Sequence, residues 1–378
     1  ILHDYLRYRF AYFTSENYRN QIFYKAGQAC VDNLQYYPAA KLFYKARDFD
    51  AILSLPFSRE YLDNQRDQYQ LEFIEVLLYE CPEEILCRHP FNLLAFGHHI
   101  LACGQIEICR EILRLLDLTI QKGEGFSQED LRRIDGEYKL LASMLEFNHA
   151  RKMHEGQMKA WEMLGEPSAL VKANTPWMFA TTSVLNMFWR ESGELEDELF
   201  EIDASSPPYY KLTNGHGAGA PQLMRGEAML MRGEDDEAEI LCHQARYEAR
   251  SHKQTGICIS TELILARIAI LRGDAEGYFG AVRELQGYGK ENSNRYVLRM
   301  IEHSMSVISL VLGVHDYIAP WLYDMENLRE AVYAPVVPFA QLLHLELLLM
   351  KKRYNEFYGI CQCMLDASRN PVGNIKYR

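Results

Sequence analysis

The chain lacks a long apolar run. Its long stretches without Asp, Glu, Lys or Arg are short and broken by polar residues: 89–106 is 18 residues with three histidines, and 173–189 is 17 residues with Asn174, Pro176, Thr181, Thr182, Ser183 and Asn186. A membrane-spanning helix needs about 20 mainly apolar residues, so no span is expected. Clustered basic residues are missing too. Lys and Arg total 40 against 52 Asp and Glu, a formal charge of −12. Neutralising nucleic-acid phosphates requires a basic face, so this chain is not expected to bind DNA itself. Proline (13) and glycine (23) are scarce for 378 residues, which excludes long disordered linkers. Cysteine is odd in number, at nine, and Cys30, Cys103, Cys109, Cys242 and Cys258 fall in apolar helical patterns. That excludes a disulfide framework and points to reduced thiols in a cytoplasmic protein. Cys361 and Cys363 have the wrong spacing for a CxxC motif, and no metal site is expected. No signal peptide is visible, because "ILHDYLRYRF" (1–10) is charged and already amphipathic.

What is present is helix-forming sequence, rich in Leu, Ala, Glu, Met and Arg, arranged as a repeat. "GEAMLMRGEDDEAEILCHQA", "ARIAILRGDAEGYFGAVREL" and "SVISLVLGVHDYIAPWLYDM" align without gaps, and Gly233, Gly273 and Gly313 are spaced 40 apart. Seven residues before each glycine sits a small residue: Gly226, Ala266 and Ser306. The small residue lets two helices approach closely, and the glycine ends the first helix in a left-handed conformation. After each turn a second apolar face is expected. In the first unit it is Ala238, Leu241, Cys242 and Ala245, an i, i+3, i+4, i+7 stripe. This is the logic of the tetratricopeptide hairpin, with a period longer than its usual one. Weaker copies are expected to turn at Gly104, near Asn148–His149 and near Lys352–Arg353. The fold class expected is all-α, a right-handed superhelix of tetratricopeptide-like hairpins. It divides into 1–50 (an entry segment and first hairpin), 51–206 and 207–378, with 121–130 and 204–221 as the longest interruptions.

Motifs for catalysis are absent. "PPYYKLTNGHGAGAPQLMRGE" (207–227) is the most glycine-rich stretch, but Gly215, Gly217 and Gly219 are followed by Ala220 and Pro221. Neither a Lys-bearing phosphate loop nor a dinucleotide fingerprint fits that spacing. The stretch reads instead as a long turn feeding a helix that starts near Pro221. "RESGELEDELFEID" (190–203) carries acids, with Glu194, Asp197, Glu198 and Glu201 at helical spacing. One solvated helix face is expected there rather than a catalytic pair. The histidines show no metal or triad spacing. Catalytic residues are therefore none, and the chain is not expected to be an enzyme.

"TPWMFATTSVLNMFWRESGELEDEL", "YYKLTNGHGAGA" and "AEILCHQARYEA" resemble the central helical domain of large LuxR-type transcription regulators, the MalT-like members of the STAND signalling ATPases. Over 1–10 the chain resembles the end of the winged-helix segment of such proteins, and 36–55 their first arm repeat. The resemblance implies a piece of a longer protein. An ATP-binding switch would precede this chain and a DNA-binding domain would follow it. ATP and DNA would then be handled outside the chain, which needs no cofactor of its own. Effector binding would promote self-association and transcription activation. The candidate ligand contacts are Trp177, Arg190, Glu191, Tyr209, Tyr210, Asn214 and His216, expected on the concave face where the period breaks. Arg190 and Glu191 would fix polar groups, while Trp177 and Tyr210 would stack on a ring. The alternatives are that these residues only lock the break, or that the chain is a scaffold for a protein or peptide partner.

Overall fold

A computed structural model of the chain describes residues 2–58, 61–62, 68–173, 177–178, 180–190, 193–291, 295–332 and 337–367. Among these, helix is the only regular secondary structure, so the all-α helical-repeat expectation holds. The helices are α1 (Leu2–Phe13), α2 (Glu16–Asp32), α3 (Tyr36–Lys45), α4 (Phe49–Leu53), α5 (Gln68–Glu80), α6 (Glu83–Leu86), α7 (Pro90–Ala102), α8 (Ile106–Lys122), α9 (Gln128–Ser143) and α10 (Ala150–Leu164). They continue with α11 (Val184–Phe188), α12 (Leu195–Thr213), α13 (Ala220–Arg232), α14 (Asp235–Ser251), α15 (Thr255–Arg272), α16 (Ala275–Glu291), α17 (Arg295–Val311), α18 (Met325–Ala331), α19 (Val337–Met350) and α20 (Tyr354–Ala367). The chain forms two compact units, 1–100 with 107–134, and 101–106 with 135–378.

In the first unit, small residues set the helix spacing. A Cβ at Gly27 of α2 would lie 2.6 Å from the Phe43 ring of α3, so only glycine allows that approach. Asp48 caps α4 by accepting from the Ala51 amide at 2.9 Å. The Asn92 side chain donates to the carbonyls of Leu53 and Leu55 at 2.6 and 2.8 Å, closing the backbone beyond α4. The core of this unit includes Ile52, Leu53, Leu77, Leu93, Leu94, Ile112 and Leu116, all essentially inaccessible.

The second unit carries the 40-residue repeats. Gly233, Gly273 and Gly313 have φ of 81°, 68° and 67°. Each sits in the same paired hydrogen-bond motif. The Gly233 amide donates to Leu230 and that of Glu234 to Met229, at 3.1 and 3.0 Å. Gly273 and Asp274 repeat this on Ile270 and Ala269, and Gly313 and Val314 on Leu310 and Ser309. This double bond is what satisfies the last carbonyls of a helix. Lys352 adopts the same conformation at φ 59°, with Arg353 donating to Leu348 at 2.9 Å, so the expected fourth turn is present. Gly104 (φ 79°) and Asn148 (φ 64°) mark the two upstream turns. The small residues seven positions earlier are packing points. A Cβ at Gly226 would meet Cys242 Sγ at 3.2 Å and the Ala238 carbonyl at 3.3 Å, both on α14, while Ala266 and Ser306 are fully buried.

Three expectations change. The third unit has no long second helix. After Gly313 the chain makes a 3-10 turn, Pro320–Tyr323, and then the short α18. Ala319 is extended, as a residue before proline tends to be, and its amide is taken by Ser306 Oγ at 2.9 Å. Residues 204–221 are not a long interruption. Helix α12 runs through Pro207 and Pro208 to Thr213, so the expected boundary at 206/207 lies inside one helix. Proline in a helix removes amide donors. Pro207 and Pro208 remove the helical donors of the Asp203 and Ala204 carbonyls, and in the turn before them the Ser205 and Ser206 hydroxyls both donate to the Ile202 carbonyl. Finally, the acids of α12 are not one wet face. Glu194 and Asp197 are exposed, but Glu198 is buried, at 3%.

Candidate functional site

The true break is short, 214–219, and its glycines explain it. Gly215, Gly217 and Gly219 have φ of 85°, 83° and 93°, values that L side chains rarely adopt. Each also lies against a different neighbour. A Cβ at Gly215 would lie 2.2 Å from the His252 ring, one at Gly217 2.5 Å from Trp177 Nε1, and one at Gly219 2.5 Å from the Ala245 carbonyl. Alternating glycines thus bring one strand of turn into contact with α14, with the segment after α14, and with Trp177. Gln254 fastens the turn. It accepts from the Gly217 amide at 2.8 Å and donates to the Ala173 and His252 carbonyls at 2.5 and 3.0 Å.

The residues expected to contact a ligand are placed as follows. Tyr209 and His216 share a hydrogen bond at 2.7 Å between the phenol oxygen and Nδ1, and His216 is buried. The Tyr210 hydroxyl donates to the Gly217 carbonyl at 3.0 Å. Burial raises the Tyr210 phenol well above its ordinary pKa, so it stays a neutral donor. Asn214 caps α12 in the left-handed conformation, φ 54°. Trp177 stacks on Phe188 with ring centres 6.0 Å apart and planes 19° from parallel. Arg190 Nε lies 3.2 Å from Glu198 Oε1 and its Nη2 3.5 Å from Glu201. Its Nη1 also contacts His149 Nδ1, and its backbone amide donates to both Glu198 oxygens at 2.9 and 3.0 Å. Glu191 lies outside the described residues. The structure therefore gathers Trp177, Tyr209, Tyr210, Asn214 and His216 at the break, while Arg190 is bonded apart from them, to Glu198, Glu201 and His149.

A second anchor was not foreseen. Glu227, on α13, is 6% exposed and accepts from the Val184 amide at 2.8 Å and from the Ser183 hydroxyl. It holds the start of α11. Burial pushes its carboxyl up to about 7, against the lowering effect of those hydrogen bonds and of Arg267. The only sequence hint was an acid inside the apolar stripe of α13, next to the small Gly226.

An open groove lies elsewhere, between α14, α15 and α16. It has a volume of ≈450 Å³. One wall is the i, i+3, i+7 stripe of α14, His243, Arg246 and Arg250. The base includes Glu262, Leu265, Ile268 and Ala269 of α15, and the far side Gly277, Gly280, Ala281, Arg283 and Glu284 of α16. Its acids are already paired. Glu262, 1% exposed, meets Arg246 at 3.0 Å. Glu284 meets Arg250 at 2.7 Å, and Glu239 meets Arg272 at 2.6 Å. Asp274 accepts from the Gly277 amide at 3.0 Å, capping α16. Burial raises the Glu262 carboxyl above its ordinary range, and Arg246 opposes that rise. Sequence reading took this region for hairpin packing alone, because its charges are spread over three helices and converge only in the fold.

Among the described residues, no group of three or more His, Cys, Asp or Glu is placed to hold a metal ion, and no helix is long and apolar enough to cross a membrane. All nine cysteines are free thiols. In comparisons with known proteins, no family model, no curated protein and no solved structure matches the chain.

Proposed function

We propose that this chain is a ligand-recognition module of a LuxR-type, MalT-like regulator, and that it binds its effector in the groove between α14, α15 and α16. The observation that carries the reading is the groove itself, an open, donor-lined recess on the most regular repeats. By contrast, the side chains of the glycine break are bonded inward. The regulator assignment rests on the resemblance over 175–199, 209–220 and 238–249. In this reading the chain recognises rather than converts its ligand, in the cytoplasm. ATP and DNA are bound by segments outside it, and effector binding favours self-association of the full protein.

The test is a thermal-shift screen with sugars, phenols, carboxylic acids and short peptides. A ligand that binds only the folded chain raises its melting temperature by simple linkage, about 2.7 kcal/mol at a hundredfold excess over Kd. Stabilisation that survives filling the groove with Gly280→Leu places the ligand elsewhere. Turnover of any screened compound overturns the non-enzymatic reading.

A further inference from the structure

Gly280 sits inside α16, where glycine is unfavourable relative to alanine. Nothing in the fold requires it. No heavy atom lies within 4 Å of a Cβ built there, and its φ is not positive. The missing side chain instead leaves one side of the groove open. Gly226, Gly217 and Gly219, by contrast, each pack against a neighbour.

Hydrogen-bond accounting then gives the ligand's character. All four lining acids, Glu239, Glu262, Asp274 and Glu284, already have protein partners. The cations are not saturated. Arg246 uses Nη1 on Glu262 and Nη2 on His243, leaving Nε. Arg250 uses Nε on Tyr288 and Nη2 on Glu284 and Tyr288, leaving Nη1. Arg283 is exposed and has no ion pair among the described residues. A guanidinium carries five N–H donors and no acceptor. The groove therefore offers spare N–H donors from three arginines, while each of its acids is already held by a cation or, for Asp274, by a backbone amide.

We propose that the groove is a carboxylate-binding site, in which Arg283 pairs with a ligand carboxylate, Arg250 and Arg246 supply further N–H donors, and Gly280 provides the clearance. This rests on the reading that the groove is where ligand is recognised. Arginine forks match both carboxylate and phosphate. Phosphate is disfavoured here because it concentrates up to about two charges on one group beside Glu239, Glu262 and Glu284, whereas each carboxylate of a diacid or peptide brings a single charge. The carboxylate can come from a small diacid or from acidic side chains of an extended peptide.

Calorimetric titration of the chain with glutarate, hexaglutamate, hexaglutamine and inorganic phosphate separates these cases. Glutarate binding marks a small-molecule source, and hexaglutamate binding without glutarate marks a peptide source. In either case Arg283→Gln weakens binding about tenfold, the loss of one charge-assisted pair. Arg283→Lys weakens it less, and Gly280→Leu abolishes it. Circular dichroism of each variant is expected to be unchanged, since a Cβ at Gly280 meets open space and Arg283 is exposed. Hexaglutamine binding as tightly as hexaglutamate overturns the proposal. So does phosphate binding more tightly than either acid, carboxylate binding indifferent to all three substitutions, or no carboxylate binding at all. If no acid binds but a neutral sugar or phenol does, and Gly280→Leu removes it, only the ligand class fails and the recognition groove stands.

Discussion

Arg190 shows how one residue can change meaning when its surroundings are known. With Glu191 and aromatic residues nearby, it reads as a ligand clamp. In the structure its side chain is 14% exposed and spans Glu198, Glu201 and His149. Removing a hydrogen bond to a buried charge costs about 1.5–3 kcal/mol. Glu198 would keep its two bonds from the Arg190 backbone amide, which limits the loss. Arg190→Met is therefore expected to lower unfolding free energy by about 2 kcal/mol in urea titrations. A clamp for an external ligand would leave the urea midpoint unmoved. Gly280 gives the opposite expectation. With helical backbone and free space around it, Gly280→Ala should stabilise the chain by about 0.5–1 kcal/mol. Loss of stability in that variant would mean that the helix needs glycine there for a reason of packing.

Among the elements, the turns divide into two kinds of glycine. Gly233, Gly273 and Gly313 need only the left-handed backbone, since a Cβ at each would meet nothing within 4 Å. Leu34, Arg47, Lys253 and Lys352 adopt that backbone without glycine, so its cost is bearable. Replacing Gly273 by alanine is expected to cost about 1–2 kcal/mol, the usual left-handed penalty. Gly219→Ala carries that penalty and also drives a Cβ onto the Ala245 carbonyl at 2.5 Å. A backbone atom cannot swing aside as a side chain can, so Gly219→Ala should be the more damaging of the two in thermal melts. Equal losses would mean that the turn relaxes freely and does not fasten the break. The same distinction explains what the sequence could tell. The repeat turns were legible because their chemistry is local and recurs at a fixed spacing. The break was seen as glycine-rich, but not why, because the atoms that exclude a Cβ belong to His252, Trp177 and Ala245. The charge pattern of α12 was misread for a related reason. Helical spacing places Glu198 and Glu201 on one face with Glu194, but Arg190, which draws them inward, comes from outside the helix. The groove was invisible because neither its open side nor its spare donors have any pattern within one helix.

For the molecule as a whole, pH acts through two buried groups of opposite sign in the second unit. Glu227 is pushed from its ordinary 4.5 up to about 7, chiefly by burial. Between those values the folded chain holds a proton that the unfolded chain has released. Its contribution is thus fully present below about 4.5 and is lost as pH rises through 7. His303 is lowered from 6.5 to about 4, also by burial, and its Nδ1 has no partner among the described residues. There the unfolded chain holds the extra proton, so stability is lost as pH falls through 6.5 towards 4. Each shift corresponds to about 3 kcal/mol over its window. Because the windows overlap, the two slopes oppose one another between about 4.5 and 6.5, and together they give a broad plateau rather than a sharp optimum. Glu262 and Glu346 are also raised by burial, so the alkaline side of the plateau should fall further than Glu227 alone dictates. Single substitutions unmask the components. Glu227→Gln keeps a side-chain acceptor for the Val184 amide but cannot titrate. Its stability should rise from pH 4 to 6.5, following His303. His303→Asn should show the reverse, falling from pH 4.5 to 7. Urea midpoints measured at half-unit pH steps distinguish the two profiles. Parallel curves for the parent chain and Glu227→Gln would show that Glu227 has the same pKa folded and unfolded, with its hydrogen bonds from Ser183 and Val184 offsetting its burial.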